Sequence, residues 1–357
     1  MSPQARKPTM RDVSRLAGVS TMTVSRVLAD PETVAAETRA RVLAAVEQLG
    51  YVPDRVAGSL SSRRTNFVAA ILPTLTNANF ADTAHALTEV LRPADYQLLI
   101  GYTMYRLGEE ERLIRAMLPR RPDAIVLASS HHTKAAQQLL VRAGVPVIEI
   151  WESAAQPIDH AVGFSNYEVG RAAARHLIGL GHRRIGALGP GQAGEARDYR
   201  GEDRMTGFAA ALREAGLADD LVIHHGEVPV GFDHGRQALG EVLTRAPDVE
   251  AVFAVSDISA WGALMECQRR GIRVPHDLSL MGFGDFDIGR QCVPALTTVG
   301  VDARAIGART GELLMALLND APAPAPEIID MGFRLIPRET TAQAVRRRAR
   351  KSAKGAI

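Results

Sequence analysis

Cysteine is nearly missing from this chain: Cys267 and Cys292 are the only two in 357 residues. Two thiols cannot build a disulfide framework, and their spacing is not that of zinc ligands, so the usage suits a reducing cytosol. Aromatic residues are also few, at 5%. No apolar run reaches the roughly 18 residues that span a bilayer, and the opening MSPQARKPTMRDVSRLAG has basic residues without an apolar stretch behind them. Neither membrane spanning nor export is expected, and a cytoplasmic protein is. The pairs His131–His132 and His224–His225 each lack a third ligand at recognisable spacing, so loop histidines are expected rather than a metal, and no cofactor is expected.

What is present is enough for a large core: 46% hydrophobic and 23% charged residues over a length that suggests two or three domains. The net charge of +2 conceals an asymmetry. Residues 1–65 hold 10 bases against 6 acids, residues 66–340 hold 26 against 34, and residues 341–357 hold 6 bases and no acid. Basic ends on an acidic body suit a polyanion, because each neutralised phosphate releases counterions. The tail at 341–357 reads equally as a disordered, solubilising end.

Three short helices are expected in the first fifty residues. Thr9 and Asp12 fit a capping box; Ser20 can cap a second helix that leaves Thr21, Met22, Ser25 and Arg26 off its apolar face; a third runs from about Ala36 to Leu49, with Gly50 as its stop. Residues 51–65 have too little apolar content for a core and read as a linker or conditional helix. From Phe67 onward, β-rich runs such as FVAAILPT, DAIVLASS and EAVFAVSD alternate with amphipathic stretches. That alternation implies doubly wound, parallel α/β architecture, and roughly 270 residues of it imply two lobes with a cleft between them. The expected division is a first lobe of about 66–163 and 294–320, and a second of about 164–293 and 321–340.

The helix, glycine turn and second helix of TMRDVSRLAGVSTMTVSRVL fit a helix-turn-helix, whose second helix enters the major groove N-terminus first. Arg26 can pair bidentately with guanine, and Thr21 or Met22 can meet a thymine methyl. Arg11, Arg39 and Arg41 would serve phosphates. Residues 9–60 closely resemble the headpiece and hinge of LacI-type transcriptional regulators, and the α/β remainder is similar to that family's ligand domain. The resemblance implies that Thr21, Met22 and Arg26 are recognition positions, that the stretch from Arg55 to Leu60 is a hinge folding on operator DNA, and that Leu60 is a minor-groove wedge. It also implies a homodimer matched to a palindromic operator. The family's Y-x-P-N reads YVPD here, placing Asp54 near phosphate.

GPGQAG at 189–194 fits a nucleotide-binding glycine pattern, but the acid twenty residues on, Glu214, lies in an amphipathic helix rather than on the next strand. Turn-forming glycines are expected there, and a nicotinamide-dependent oxidoreductase is not. The loop leads instead into Arg197, Arg200 and Arg204, which could face one side of a helix or form a solvated face with Asp198, Glu202 and Asp203. By resemblance, Arg204, three residues before Gly207, is the ligand-anchoring arginine, a fork suited to a carboxylate or a vicinal diol. The same resemblance suggests Phe80 as an aromatic wall, Ser256 and Asp257 as lining residues and Asp285 in a segment where Gly284 replaces an acid. Asp257 could equally cap the following helix. Glu149 and Glu152 could accept hydroxyls or be strand-edge acids. The gluconate-utilisation branch of the family is the most similar, which implies a sugar-acid effector such as gluconate or ketogluconate. A transport-type sugar-binding protein without a DNA role is the alternative.

Overall fold

A computed structural model describes residues 7–52, 64–153, 156–319 and 326–344. The chain divides into two compact units, Met1–Thr65 and Asn66–Ile357.

In the first unit, helices α1 (Met10–Ala17), α2 (Thr21–Ala29) and α3 (Ala36–Leu49) share a small core of Val13, Ala17, Val24, Val27, Val42 and Ala45. The sequence places their ends. The Asp12 carboxylate accepts from the Thr9 amide at 2.9 Å, the Ser20 hydroxyl accepts from the Thr23 amide at 3.1 Å, and Gly50 closes α3 in the left-handed conformation. The hinge positions Asp54, Arg55, Gly58 and Leu60 and the tail from residue 345 lie outside the described residues.

The second unit holds strands β1 (Phe67–Leu72), β2 (Gln97–Tyr102), β3 (Ala124–Leu127), β4 (Val147–Ile150), β5 (His160–Gly163), β6 (Ile185–Pro190), β7 (Val222–His225), β8 (Ala251–Ala254), β9 (Ser279–Phe283), β10 (Thr297–Gly300), β11 (Ile328–Asp330) and β12 (Arg334–Ile336). Its helices are α4 (Ala78–Leu91), α5 (Leu107–Met117), α6 (Lys134–Ala143), α7 (Asn166–Gly179), α8 (Tyr199–Glu214), α9 (Phe232–Arg245), α10 (Asp257–Arg269), α11 (Asp287–Gln291) and α12 (Ala303–Leu318). They build two six-stranded sheets, ordered β11-β5-β4-β3-β1-β2 and β12-β10-β9-β8-β6-β7, parallel except for the edge strand β12. The two-lobed, doubly wound expectation matches this architecture.

The lobe boundaries need one correction. Strand β10, expected in the first lobe, pairs with β9 and β12 of the second sheet, and β11, expected in the second, pairs with β5 of the first. The reason is that the chain crosses between sheets three times, after Gly163, after Gly300 and after Asp330, through short connections. Only after the second crossing does α12 return to pack on α4 in the first lobe. One buried cluster runs through both lobes, from Val68 and Leu87 to Phe208 and Phe253. The outer faces have their own cores, under α5 and α6 in the first lobe and under α9 and α10 in the second.

Candidate functional site

Two surfaces carry candidate chemistry. In the first unit, Thr21, Met22, Ser25 and Arg26 are exposed on α2, and Met22 is 69% exposed, too much for a core methionine. Arg11 and Arg41 are exposed as well. Arg39, expected on a phosphate, instead donates to Glu32 at 2.6 Å, so its fork is partly engaged.

In the second unit, the carboxyl ends of both sheets face one cleft, as parallel α/β sheets dictate. The cleft encloses about 620 Å³ of atom-free space, part of it open to solvent. Arg200 and Arg204 form its charged floor, and Arg204 is held there by helix packing. Gly170 on α7 and Gly207 on α8 let the two helices touch: a Cβ on either would sit 1.9 Å from the other helix's backbone carbonyl. The Gly207 of the R-x-x-G motif therefore allows the contact, and Arg204 lies one turn earlier, at the cleft. Its Nη1 donates to the Asn166 side-chain carbonyl, its Nη2 lies 3.9 Å from Asp198, and its guanidinium sits over the Phe283 ring at 4.2 Å. Its Nε and Asp198 Oδ1 are buried without a hydrogen-bond partner among the described residues. Burial lowers Arg204 to about 10 against the support of Asp198, so it stays charged at neutral pH.

Arg200 is equally buried. Its Nη1 donates to the Ala128 carbonyl and, at 3.1 Å, to Glu152, both in the first lobe. Phe80 and Trp151 form an edge-to-face wall at 5.2 Å, with Arg200 over Phe80 at 5.4 Å. Ser256 lines the cleft and caps α10, accepting from the Ile258 amide. Arg204, Arg200, Phe80 and Ser256 thus come together as expected.

Four expected residues do not join them. Along β4 side chains alternate, so Ile148 and Ile150 enter the core shared by both lobes while Glu149 enters the opposite face. There Glu149 accepts from the Ile158 amide and lies 3.4 Å from His132. His132 also meets Glu110 at 2.6 Å. Burial would lower its imidazole, but the two carboxylates outweigh burial and lift it to about 9. Of the two acids it is Glu152, past the strand end, that reaches the cleft. Asp257 is fully buried and accepts from the Phe286 amide at 2.9 Å and Thr298 at 2.7 Å, which makes it an internal anchor for the segment after β9. Asp285 pairs with Arg338, and Arg197 pairs with Glu202 and lies over the Tyr199 ring.

The glycines of GPGQAG have backbone reasons. A Cβ on Gly191 would sit 1.9 Å from the Gly226 carbonyl, and Gly194 has φ +93°. Gly284 has φ +126°, with Asn79 and Phe286 pressed against it, so no acid fits this backbone; its carbonyl accepts from Asn79 across the cleft.

Tyr105, Asn79, Asn166, Trp151 and Asp198 were not legible as site residues. Tyr105 lines the cleft, and burial, then the charge of Asp198, push its hydroxyl up. Met104, Tyr105 and Trp151 hold φ of +50°, +62° and +72°, unusual for large side chains and concentrated at this wall.

Comparisons with known proteins fit both surfaces. Residues 9–54 match the family of bacterial regulatory proteins, lacI family, and residues 174–341 match the periplasmic binding protein-like domain. The chain is 36% identical over 336 residues to the HTH-type transcriptional regulator GntR of Pseudomonas aeruginosa, covering 94% of this chain and 96% of that one. The chain belongs to the LacI family of transcriptional regulators. This regulator is also 32% identical to GntR of Escherichia coli K12, over 93% of its own length and 98% of the relative. It is similar to the solved structure of a LacI-family regulator from Silicibacter pomeroyi, with 34% identity, a TM-score of 0.86, and 94% and 99% of the two chains covered. It therefore has a DNA-binding and an effector-binding domain and is a regulator, not an enzyme.

Proposed function

We propose that this LacI-family regulator is a homodimeric repressor that reads a palindromic operator and is controlled by a sugar acid such as gluconate or ketogluconate bound between the lobes. One observation carries the reading: of the two buried guanidiniums on the cleft floor, Arg200 is paired with Glu152, whereas Arg204 has Asp198 only at 3.9 Å and keeps a buried Nε with no hydrogen-bond partner among the described residues. That open donor favours an anion, because a carboxylate can complete the Arg204 Nε. Thr74, Asn77, Asn79 and Ser256 supply polar groups for hydroxyls. Phe80, Tyr105, Trp151, Phe283 and Phe286, five of the chain's 17 aromatic residues, supply apolar walls. Thr21, Met22 and Arg26 on the exposed face of α2 would read bases, with Arg11 and Arg41 on phosphates.

Isothermal calorimetry with D-gluconate, 2-ketogluconate, 6-phosphogluconate and neutral sugars tests the effector. Binding of an acid and none of its neutral counterpart is expected. Binding of neutral sugars alone would remove the carboxylate role of Arg204. The operator response follows from mobility shifts with and without the bound acid, and an unchanged shift would remove the regulatory role.

A further inference from the structure

Arg200 reaches the cleft floor under the grip of the opposite lobe. Ser130 and His131 follow β3, and Glu152 follows β4, so all three stand at the cleft rim of the first lobe. Glu152 Oε1 accepts from Arg200 Nη1, and its Oε2 accepts from the Ser130 hydroxyl and lies 3.4 Å from His131 Nδ1, an ion-pair distance when the imidazole is protonated. From the second lobe, Tyr199 stacks on His131, with ring centroids 4.2 Å apart and planes within 4°. Beside this contact, the Arg197 amide donates to the Tyr105 carbonyl at 2.8 Å, a backbone bond from lobe to lobe. Three of the groups the site uses least obviously, Ser130, His131 and Glu152, thus converge on one that it needs.

We propose that Glu152 and His131 are positioning residues: they form a latch by which the first lobe holds Arg200 and Tyr199 of the second, and closing the latch takes up a proton on His131. The charged groups facing the imidazole are Glu152 from its own lobe, and Arg200 and Asp203 from α8, with Tyr199 over its face. The adjacent His132 points away, into its buried contact with Glu110 and Glu149. Closure covers Glu152 with α8 and excludes the water that would screen its attraction for His131, and it brings up Asp203; Arg200 opposes. The contact with Glu152 leads the balance and raises the imidazole above its ordinary value. Burial alone would raise Glu152, but His131, Arg200 and Ser130 together hold it near 2, so it remains the anion of the latch. The His131 side chain is 42% exposed, while its Nδ1, the atom that faces Glu152, is itself buried.

The sign follows from the raised pKa. Closure is fully supported below the open-state pKa of His131 and loses that support as pH rises through the closed-state value. Each unit of difference changes the closing equilibrium about tenfold. An anion beside Arg200 adds negative charge, so proton and effector reinforce one another; this last consequence rests on the sugar-acid reading, whereas the latch does not.

Hydrogen exchange of the effector-free, full-length protein tests the latch, because the Arg197 amide is protected only while the lobes touch. From about pH 6 to about pH 8.5, across the titration of histidine, protection of the segment 193–199, corrected for intrinsic rates, should fall in the wild type and stay flat in His131→Gln. Glu152→Gln should flatten it too, and a separate titration of the His131 imidazole by NMR should show its pKa fall in that variant. Protection independent of pH in the wild type, or an equal fall in His131→Gln, overturns the latch. Calorimetry with D-gluconate at both pH values separates the two readings. Absence of binding with pH-dependent protection removes the sugar acid and keeps the latch, while tight binding with flat protection removes the latch alone.

Discussion

Asp257 has no solvent contact and two donors, the Phe286 amide and the Thr298 hydroxyl, to satisfy. Burial pushes its carboxyl from 3.8 up to about 6, even though both hydrogen bonds favour the charged form. A carboxyl raised by folding supports the native state below its unfolded pKa and loses that support as pH climbs through the folded value. Asn at this position can accept from the amide and donate to the threonine without titrating. The unfolding free energy of the wild type, relative to Asp257→Asn, should therefore fall between about pH 4 and about pH 6.5, by up to roughly 3 kcal/mol at 1.36 kcal/mol per unit, and be level above. Denaturant unfolding at matched pH measures it, and a constant difference would mean that Asp257 is not the titrating group. The same residue shows what sequence can and cannot convey about a site. An acid after a strand end reads alike whether it faces a ligand or anchors a neighbouring loop, because the choice depends on Thr298 and Phe286, 41 and 29 positions away. Arg204 was reached through the family resemblance, and the structure shows that Gly207 of the same motif allows the helix contact that fixes it. Glu149 was misplaced because its parity within β4 turns it to the outer face, whereas Glu152 lies past the strand end.

At the scale of elements, the headpiece shows local chemistry deciding structure. Its three helices need few long-range contacts to be placed: Thr9, Ser20 and Gly50 mark their ends, and all three act there as caps. Ser20 matters most to the DNA surface, since it starts the helix bearing Thr21, Met22 and Arg26. Ser20→Ala removes the acceptor for the Thr23 amide and should cost about 1 kcal/mol of headpiece stability. A lower melting temperature of the helical signal for residues 1–65, with the second unit unchanged, checks this; an unchanged headpiece melt would show that water replaces the cap. The lobes were less legible for the opposite reason. Strands β10 and β11 have ordinary apolar patterns, and nothing local says which sheet they join. Their membership is set by three short crossings and by the packing of α12 on α4, both of them non-local.

At the scale of the whole molecule, function requires that the effector cleft and the operator surface share a free energy. If a sugar acid changes operator affinity by some factor, the operator must change sugar-acid affinity by the same factor, whatever path connects them. Arg204→Met separates binding from coupling. The methionine keeps much of the stem that lies by Phe283 and removes the charge and all its donors. Losing a charge-assisted contact to a carboxylate should weaken D-gluconate by about 1.5 to 3 kcal/mol, roughly 10- to 150-fold. Under the proposed role, in which Arg204 supplies effector affinity and the lobes supply the switch, the operator response to D-gluconate should then shift to higher concentration by the same factor and reach the same plateau. Titrating operator binding against D-gluconate for both proteins, at fixed salt because phosphate contacts make affinity steeply salt-dependent, reads midpoint and plateau together. A lowered plateau at saturating D-gluconate would show that the Arg204 guanidinium distinguishes the two lobe arrangements and is itself part of the switch.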